Sequence, residues 1–110
     1  MTLGEKQRKF SRMLAELILW AYEHGYEITM GEVFRTKEQA ALNASRGVGI
    51  KDSLHCYCLA ADLNLFKDGV YLTKTEDHKE LGEKWESMGG SWGGRFRDGN
   101  HYSLEWEGKK

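Results

Sequence analysis

Apolar positions along the first two dozen residues recur at helical spacing. Phe10, Leu14, Leu17 and Ala21 fall on one face, with Met13 and Ile18 beside it. Thr2 followed by Glu5 forms a capping-box pattern at the start, and His24-Gly25 marks an end. Residues 26–34 read as a strand. Thr36 with Gln39 offers a second capping box and opens a short helix to about Ala44. Residues 45–54, with Gly47 and Gly49, read as a loop. The clearest strand pattern covers 59–66: Leu59, Ala61, Leu63 and Leu65 point one way, Ala60, Asp62, Asn64 and Phe66 the other. Lys67-Asp68-Gly69 predicts a hairpin into a short strand over 70–72. Thr73 with Glu76 opens a third helix, with Leu81, Trp85 and Met88 on its buried face and Gly89-Gly90 ending it. A glycine-rich loop over 89–100 precedes a last strand over 101–106. The order α, β, α, β, β, α, β predicts an α+β fold, with helices on one side of a mainly antiparallel sheet.

Composition narrows the function. The chain has 110 residues, 40% hydrophobic and 30% charged, with a net charge of -1. That suits one globular domain over 1–110 rather than a disordered chain. A near-neutral chain with no basic run carries no signature of nucleic-acid binding. The longest apolar stretch, over 17–22, is too short to span a bilayer, so no membrane insertion is predicted. Glu5, Lys6, Arg8 and Lys9 near the start do not fit a signal peptide. There is no proline, and 13 glycines carry the turns. Cys56 and Cys58, two apart, read as small buried thiols in a chain made in a reducing compartment.

The candidate chemistry lies with two of the four histidines. His55 follows Ser53-Leu54, and Asp62 comes seven residues later on the best strand; His101 opens the last strand, three residues after Asp98. A hydrolytic zinc site needs three protein ligands and an open position for water. His55, Asp62 and His101 would supply two imidazole nitrogens and a carboxylate oxygen. Asp98, beside a ligand without being one, suits a general base that moves protons between water and a leaving amine. By type and place alone, His24 reads as a helix end, His78 as a helix-surface residue, and Trp20 and Trp85 as core.

Ser53-x-His55-x(6)-Asp62, with Asp98-x-x-His101, resembles the zinc peptidases of family M15. Phe34-Arg35-Thr36 with Gln39, and Trp92-Gly93-Gly94, are similar to that family's arginine and tryptophan-glycine segments. The resemblance covers residues 33–106. It implies the hedgehog and D-Ala-D-Ala peptidase type of fold, with Zn2+ on His55, Asp62 and His101. It also implies Asp98 as the general base of a zinc-activated water. Arg35 would polarise the scissile carbonyl or grip a substrate carboxylate. Ser53 would bond to substrate or support a ligand, and Trp92 would line a substrate groove. Gln39 is assigned to its capping box.

The D-x-x-H form, where many relatives have E-x-x-H, resembles the phage L-alanyl-D-glutamate endopeptidases. The implied partner is the peptidoglycan stem peptide, cut by a monomeric endolysin made in the host cytoplasm and released through a holin. The alternatives are a D-alanyl-D-alanine carboxypeptidase of the same family, with Arg35 on the terminal carboxylate, and a non-catalytic zinc-binding interaction domain. A metal-dependent nuclease is a more distant option. Cys58 departs from the glycine usual in the family. It raises the prospect of a disturbed turn or a competing soft ligand.

Overall fold

The computed structural model describes residues 1–47 and 53–110. Part of the predicted loop over 45–54 therefore lies outside the described residues. Helix α1 (Leu3–Glu23) starts where the capping box predicts. The Thr2 hydroxyl accepts from the Glu5 amide, and the Glu5 carboxylate accepts from the Thr2 amide. Its buried face is Phe10, Met13, Leu14, Leu17 and Ala21, and His24 caps its end. Helix α2 (Lys37–Ser45) is capped by Thr36. Only half of its box forms, because the Gln39 side chain turns forward to Asn43 at 2.7 Å instead of back to the cap.

Among the described residues, five strands make the sheet: β1 (Tyr26–Met30), β2 (Ala60–Lys67), β3 (Val70–Leu72), β4 (Ser91–Trp92) and β5 (His101–Ser103). All pairings are antiparallel. β1 lies beside β2, β2 beside β3 and β5, and β5 beside β4. The hairpin from β2 to β3 turns on Asp68 and Gly69, both with positive φ, which fits the type I′ turn.

Leu59, Ala61, Leu63 and Leu65 are fully buried, as their alternation predicts. They share one core with α1 and with α3 (Lys79–Ser87). Phe10 of α1 meets Trp85 of α3 edge-on, and Trp85 meets Tyr102 of β5 in the same way. Tyr102 pairs with Ala61 across the strands, so it belongs to the same face. The neighbouring pair, Asp62 and His101, therefore projects from the face turned away from α1 and α3.

Several boundaries differ from the sequence reading. The strand predicted over 26–34 stops at Met30. Beyond it, Gly31 donates to the Asp62 carbonyl at 2.8 Å, and the Asp62 amide donates to the Glu32 carbonyl at 2.8 Å. A Cβ on Gly31 would lie 2.8 Å from that Asp62 oxygen, so a bare glycine allows this close crossing.

The third helix does not start on Thr73 and Glu76. A 3₁₀ turn (Thr75–His78) precedes it, and the Asp77 carboxylate accepts from the Lys74 amide. The last strand ends at Ser103. Leu104 makes one more bond to Leu59, and the chain then turns back so that Trp106 and Lys109 pair. The strand β4 was hidden in the predicted glycine loop. His78 is not on the surface: it is buried, with Nδ1 2.8 Å from the Tyr102 hydroxyl. The cysteines are free, Cys56 half-buried and Cys58 exposed, so the buried reading fails for Cys58.

Candidate metal centre and its cleft

Three local structures deliver the three candidate ligands. His55 sits on a 3₁₀ turn (Leu54–Tyr57) capped by Ser53, whose hydroxyl accepts from the His55 amide at 3.1 Å. Asp62 lies on β2 and His101 on β5, opposite one another. The Asp62 main chain bonds to residues 31 and 32, not to β5. The pair across β2 and β5 is thus of the non-hydrogen-bonded kind, which holds side chains closest.

One Asp62 oxygen, Oδ1, lies 3.3 Å from His55 Nε2 and 3.4 Å from His101 Nδ1. Two donors on a tetrahedral zinc, at bonds of about 2.0–2.1 Å, stand roughly 3.3–3.4 Å apart. All three donor atoms lie within 4.8 Å of one another, and they are the one such group among the described residues. The other ring nitrogen of His55, Nδ1, is 3.3 Å from the Val33 carbonyl oxygen. A carbonyl only accepts, so Nδ1 carries the proton and Nε2 is left free to bind a cation. The donor set and its spacing fit zinc.

Burial alone would raise the Asp62 carboxyl, but hydrogen bonds and charge from His101 and His55 hold it far below the usual carboxylate range. Burial lowers His55; the Asp62 bond and charge, the Val33 carbonyl and the Glu32 charge outweigh it and raise the imidazole. Burial also lowers His78. The signs set the pH response of metal-free protein. A depressed carboxyl adds stability above its unfolded value of about 4 and loses it as pH falls below. A raised His55 adds stability below about 6.5, lost as pH rises through its folded value, and the lowered His78 acts in the opposite sense. In chelator-treated protein, the urea midpoint of wild type should therefore fall more between pH 5 and 3 than that of Asp62→Asn. Equal falls would show that Asp62 does not carry the acid response.

Around these groups runs a cleft of about 660 Å³, lined among others by Arg35, Ser53, Asp98 and Phe96. The structure thus gathers six of the seven residues that the sequence singled out: His55, Asp62, His101, Asp98, Arg35 and Ser53. The Asp98 side chain is exposed at the cleft, while its carbonyl accepts from the His101 amide at 3.1 Å. Arg35 is mostly buried and paired with Glu32, Nε to Oε1 at 2.8 Å.

Trp92 is the exception. It is 4% exposed, its ring lies where a Gly82 side chain would be, and its indole N–H donates to the Gly99 carbonyl at 2.7 Å. It is a core residue that braces the loop carrying Asp98 and does not line this cleft; its exposed edge borders a shallower pocket with Thr75, Lys79 and Arg95. Cys58 stands outside the ligand group. It has φ 55, the left-handed region that favours glycine. Cys58→Gly should therefore gain about 0.5–1 kcal/mol, relief of that conformation exceeding the entropy glycine adds to the unfolded chain. A rise in the urea midpoint at constant slope checks it; a fall would mean that the thiol contributes packing.

Sequence reasoning missed two residues. Glu32 was overlooked, although its place three residues before Arg35 in Glu32-Val33-Phe34-Arg35 was a usable signal. Phe96 is 67% exposed at the cleft, a large apolar ring that nothing in its glycine-rich neighbourhood announces.

Comparison with known proteins agrees with this picture. The family described as D-alanyl-D-alanine carboxypeptidase, in peptidase family M15, matches residues 46–104. The L-alanyl-D-glutamate peptidase of Listeria phage A118 is 30% identical over 102 residues. That match takes in 84% of this chain and 36% of the relative, so the chain spans about a third of that protein's length. Among solved structures, the Serratia marcescens L-Ala D-Glu endopeptidase ChiX superposes with a TM-score of 0.74 at 16% identity, over 93% of this chain and 85% of that one. The Zn(II) complex of a VanY D,D-pentapeptidase mutant, from a VanB-type resistance cassette, gives 0.62 at 20% identity, over 87% and 70%. Both likenesses speak for the fold. With more than half of its residues inside the family match, the chain belongs to the M15 peptidases.

Proposed function

We propose that this chain is a zinc-dependent peptidoglycan peptidase of the phage endolysin kind, cutting the L-Ala–D-Glu bond of the stem peptide. Residues 1–110 then form one zinc peptidase domain. The observation that carries the reading is the convergence of His55, Asp62 and His101 at zinc-like spacing in a cleft that also holds Asp98 and Arg35. The Asp98-x-x-His101 form and the two L-Ala–D-Glu peptidases among the similar proteins support the choice of bond.

His55, Asp62 and His101 would hold the ion, which when bound supplies Lewis acidity for water and the scissile carbonyl. Asp98 takes the proton of the attacking water and delivers it to the leaving nitrogen. Arg35 faces the same cleft with guanidinium N–H groups not used by Glu32, and donates to the carbonyl oxygen as negative charge develops there. The Ser53 hydroxyl already accepts from His55, which leaves its own O–H to donate toward substrate. Exposed Phe96 offers an apolar surface to the peptide.

A second reading, a D,D-carboxypeptidase, is favoured by the family description and the VanY likeness, and puts Arg35 on the terminal carboxylate. Mass spectrometry of purified peptidoglycan after incubation with zinc-loaded protein separates the two. Chelator-sensitive release of peptides beginning at D-Glu is the expected result. Loss of terminal D-Ala alone would establish the carboxypeptidase. An unchanged wall with zinc bound would leave a binding domain.

A further inference from the structure

The segment over 31–35 wraps the two candidate ligands on the side away from His101. Gly31 and Glu32 bond through their main chains to Asp62, the Val33 carbonyl faces His55 Nδ1, and the Arg35 amide donates to the His55 carbonyl at 3.2 Å. Within this collar, a single oxygen of Glu32 does two things. Oε1 accepts from Arg35 Nε and Nη2, and it lies 3.7 Å from His55 Nδ1. The carboxylate thus stands between a guanidinium that lines the cleft and the back of an imidazole whose front faces the metal position.

We propose that Glu32 is a positioning residue that couples Arg35 to the metal centre. Toward His55 it adds negative charge behind the protonated nitrogen. That reinforces the tautomer set by Val33 and makes Nε2 a better donor to a metal, as outer carboxylates do for histidine ligands. Toward Arg35 it fixes one edge of the planar fork through two N–H groups. The opposite edge is presented to the cleft at little further cost in side-chain entropy. The backbone of Glu32 cannot drift from the site, because its carbonyl is held by Asp62 itself.

The Arg35 half of this proposal rests on the peptidase reading, whereas the metal half does not. The test compares Glu32→Ala, Glu32→Gln and Arg35→Ala in two readouts: zinc affinity by chelator competition, and KM and kcat on purified muropeptides. Glu32→Ala should weaken zinc by about 10–100-fold. Glu32→Gln keeps the shape and loses the charge, so it should fall between wild type and Glu32→Ala. Arg35→Ala should change zinc affinity by less than about threefold while lowering kcat/KM, a split that a merely structural role for Glu32 would not produce. Glu32 is partly exposed, so circular dichroism of its variants should match wild type. Wild-type zinc affinity in Glu32→Ala overturns the proposal whether or not the muropeptides are cleaved. If the zinc result holds and no muropeptide is cut, the peptidase reading fails while the metal half of the coupling stands.

Discussion

Replacing Asp98 with asparagine is expected to leave zinc affinity intact and to cut turnover by about 10²–10⁴-fold, the usual contribution of a positioned acid–base group. The main chain of Asp98 is fixed independently of its side chain. Its amide donates to the Gly93 carbonyl at 2.9 Å, and its carbonyl accepts from the His101 amide. Asparagine is isosteric, so the turn that presents His101 should survive the exchange. What disappears is the ability to accept a proton from water. The companion variant His101→Ala should lose both zinc and activity, because it removes one of three candidate donors. Inductively coupled plasma mass spectrometry for zinc, with peptide release from peptidoglycan, reads both quantities. Full activity in Asp98→Asn would sink the assignment of the base.

Trp92→Ala should destabilise the protein by about 3–5 kcal/mol. That is a large share of the roughly 5–15 kcal/mol that holds a typical domain together. The ring fills the space over Gly82 on α3, and its N–H ties down the Gly99 carbonyl. Its removal opens a cavity and frees the loop between β4 and β5, the loop that carries Asp98. Chemical denaturation should show the lowered midpoint, and zinc affinity should fall with it because His101 follows that loop. Trp92→Phe keeps most of the packing and loses the hydrogen bond, so its cost should be smaller. A Trp92→Ala protein as stable as wild type, with altered substrate preference alone, would restore the groove-wall role first expected from the sequence.

What could be read in advance follows from the range of the forces involved. α1 was legible because its period and its capping box are local, and both are present. β2 was legible because alternation over eight residues leaves no other period, and the hairpin because Asp-Gly suits positive φ at both turn positions. The three metal candidates were suggested by residue type and spacing and were picked out by the resemblance to the M15 zinc peptidases. Their meeting at one Asp62 oxygen depends on the β2–β5 register, which no local pattern states. β4 has two residues, too few for any alternation. The start of this helical segment was ambiguous because Thr73 with Glu76 and Lys74 with Asp77 offer the same spacing; the latter pair forms, and it opens the 3₁₀ turn ahead of α3. His78 looked like a surface residue because its partner, Tyr102, is 24 positions away. Glu32 and Arg35 lie outside the span matched by the family, so their pairing came from the structure.

X-ray absorption spectroscopy of the zinc-loaded protein reads the chemical type of the ligands around the ion. Two imidazole nitrogens are expected, from His55 and His101, with the remaining positions filled by oxygen. The zinc signal should disappear in His101→Ala. A sulfur in the coordination shell, which would place Cys56 or Cys58 on the ion, or a shell unchanged in His101→Ala, would overturn His55, Asp62 and His101 as the ligand set.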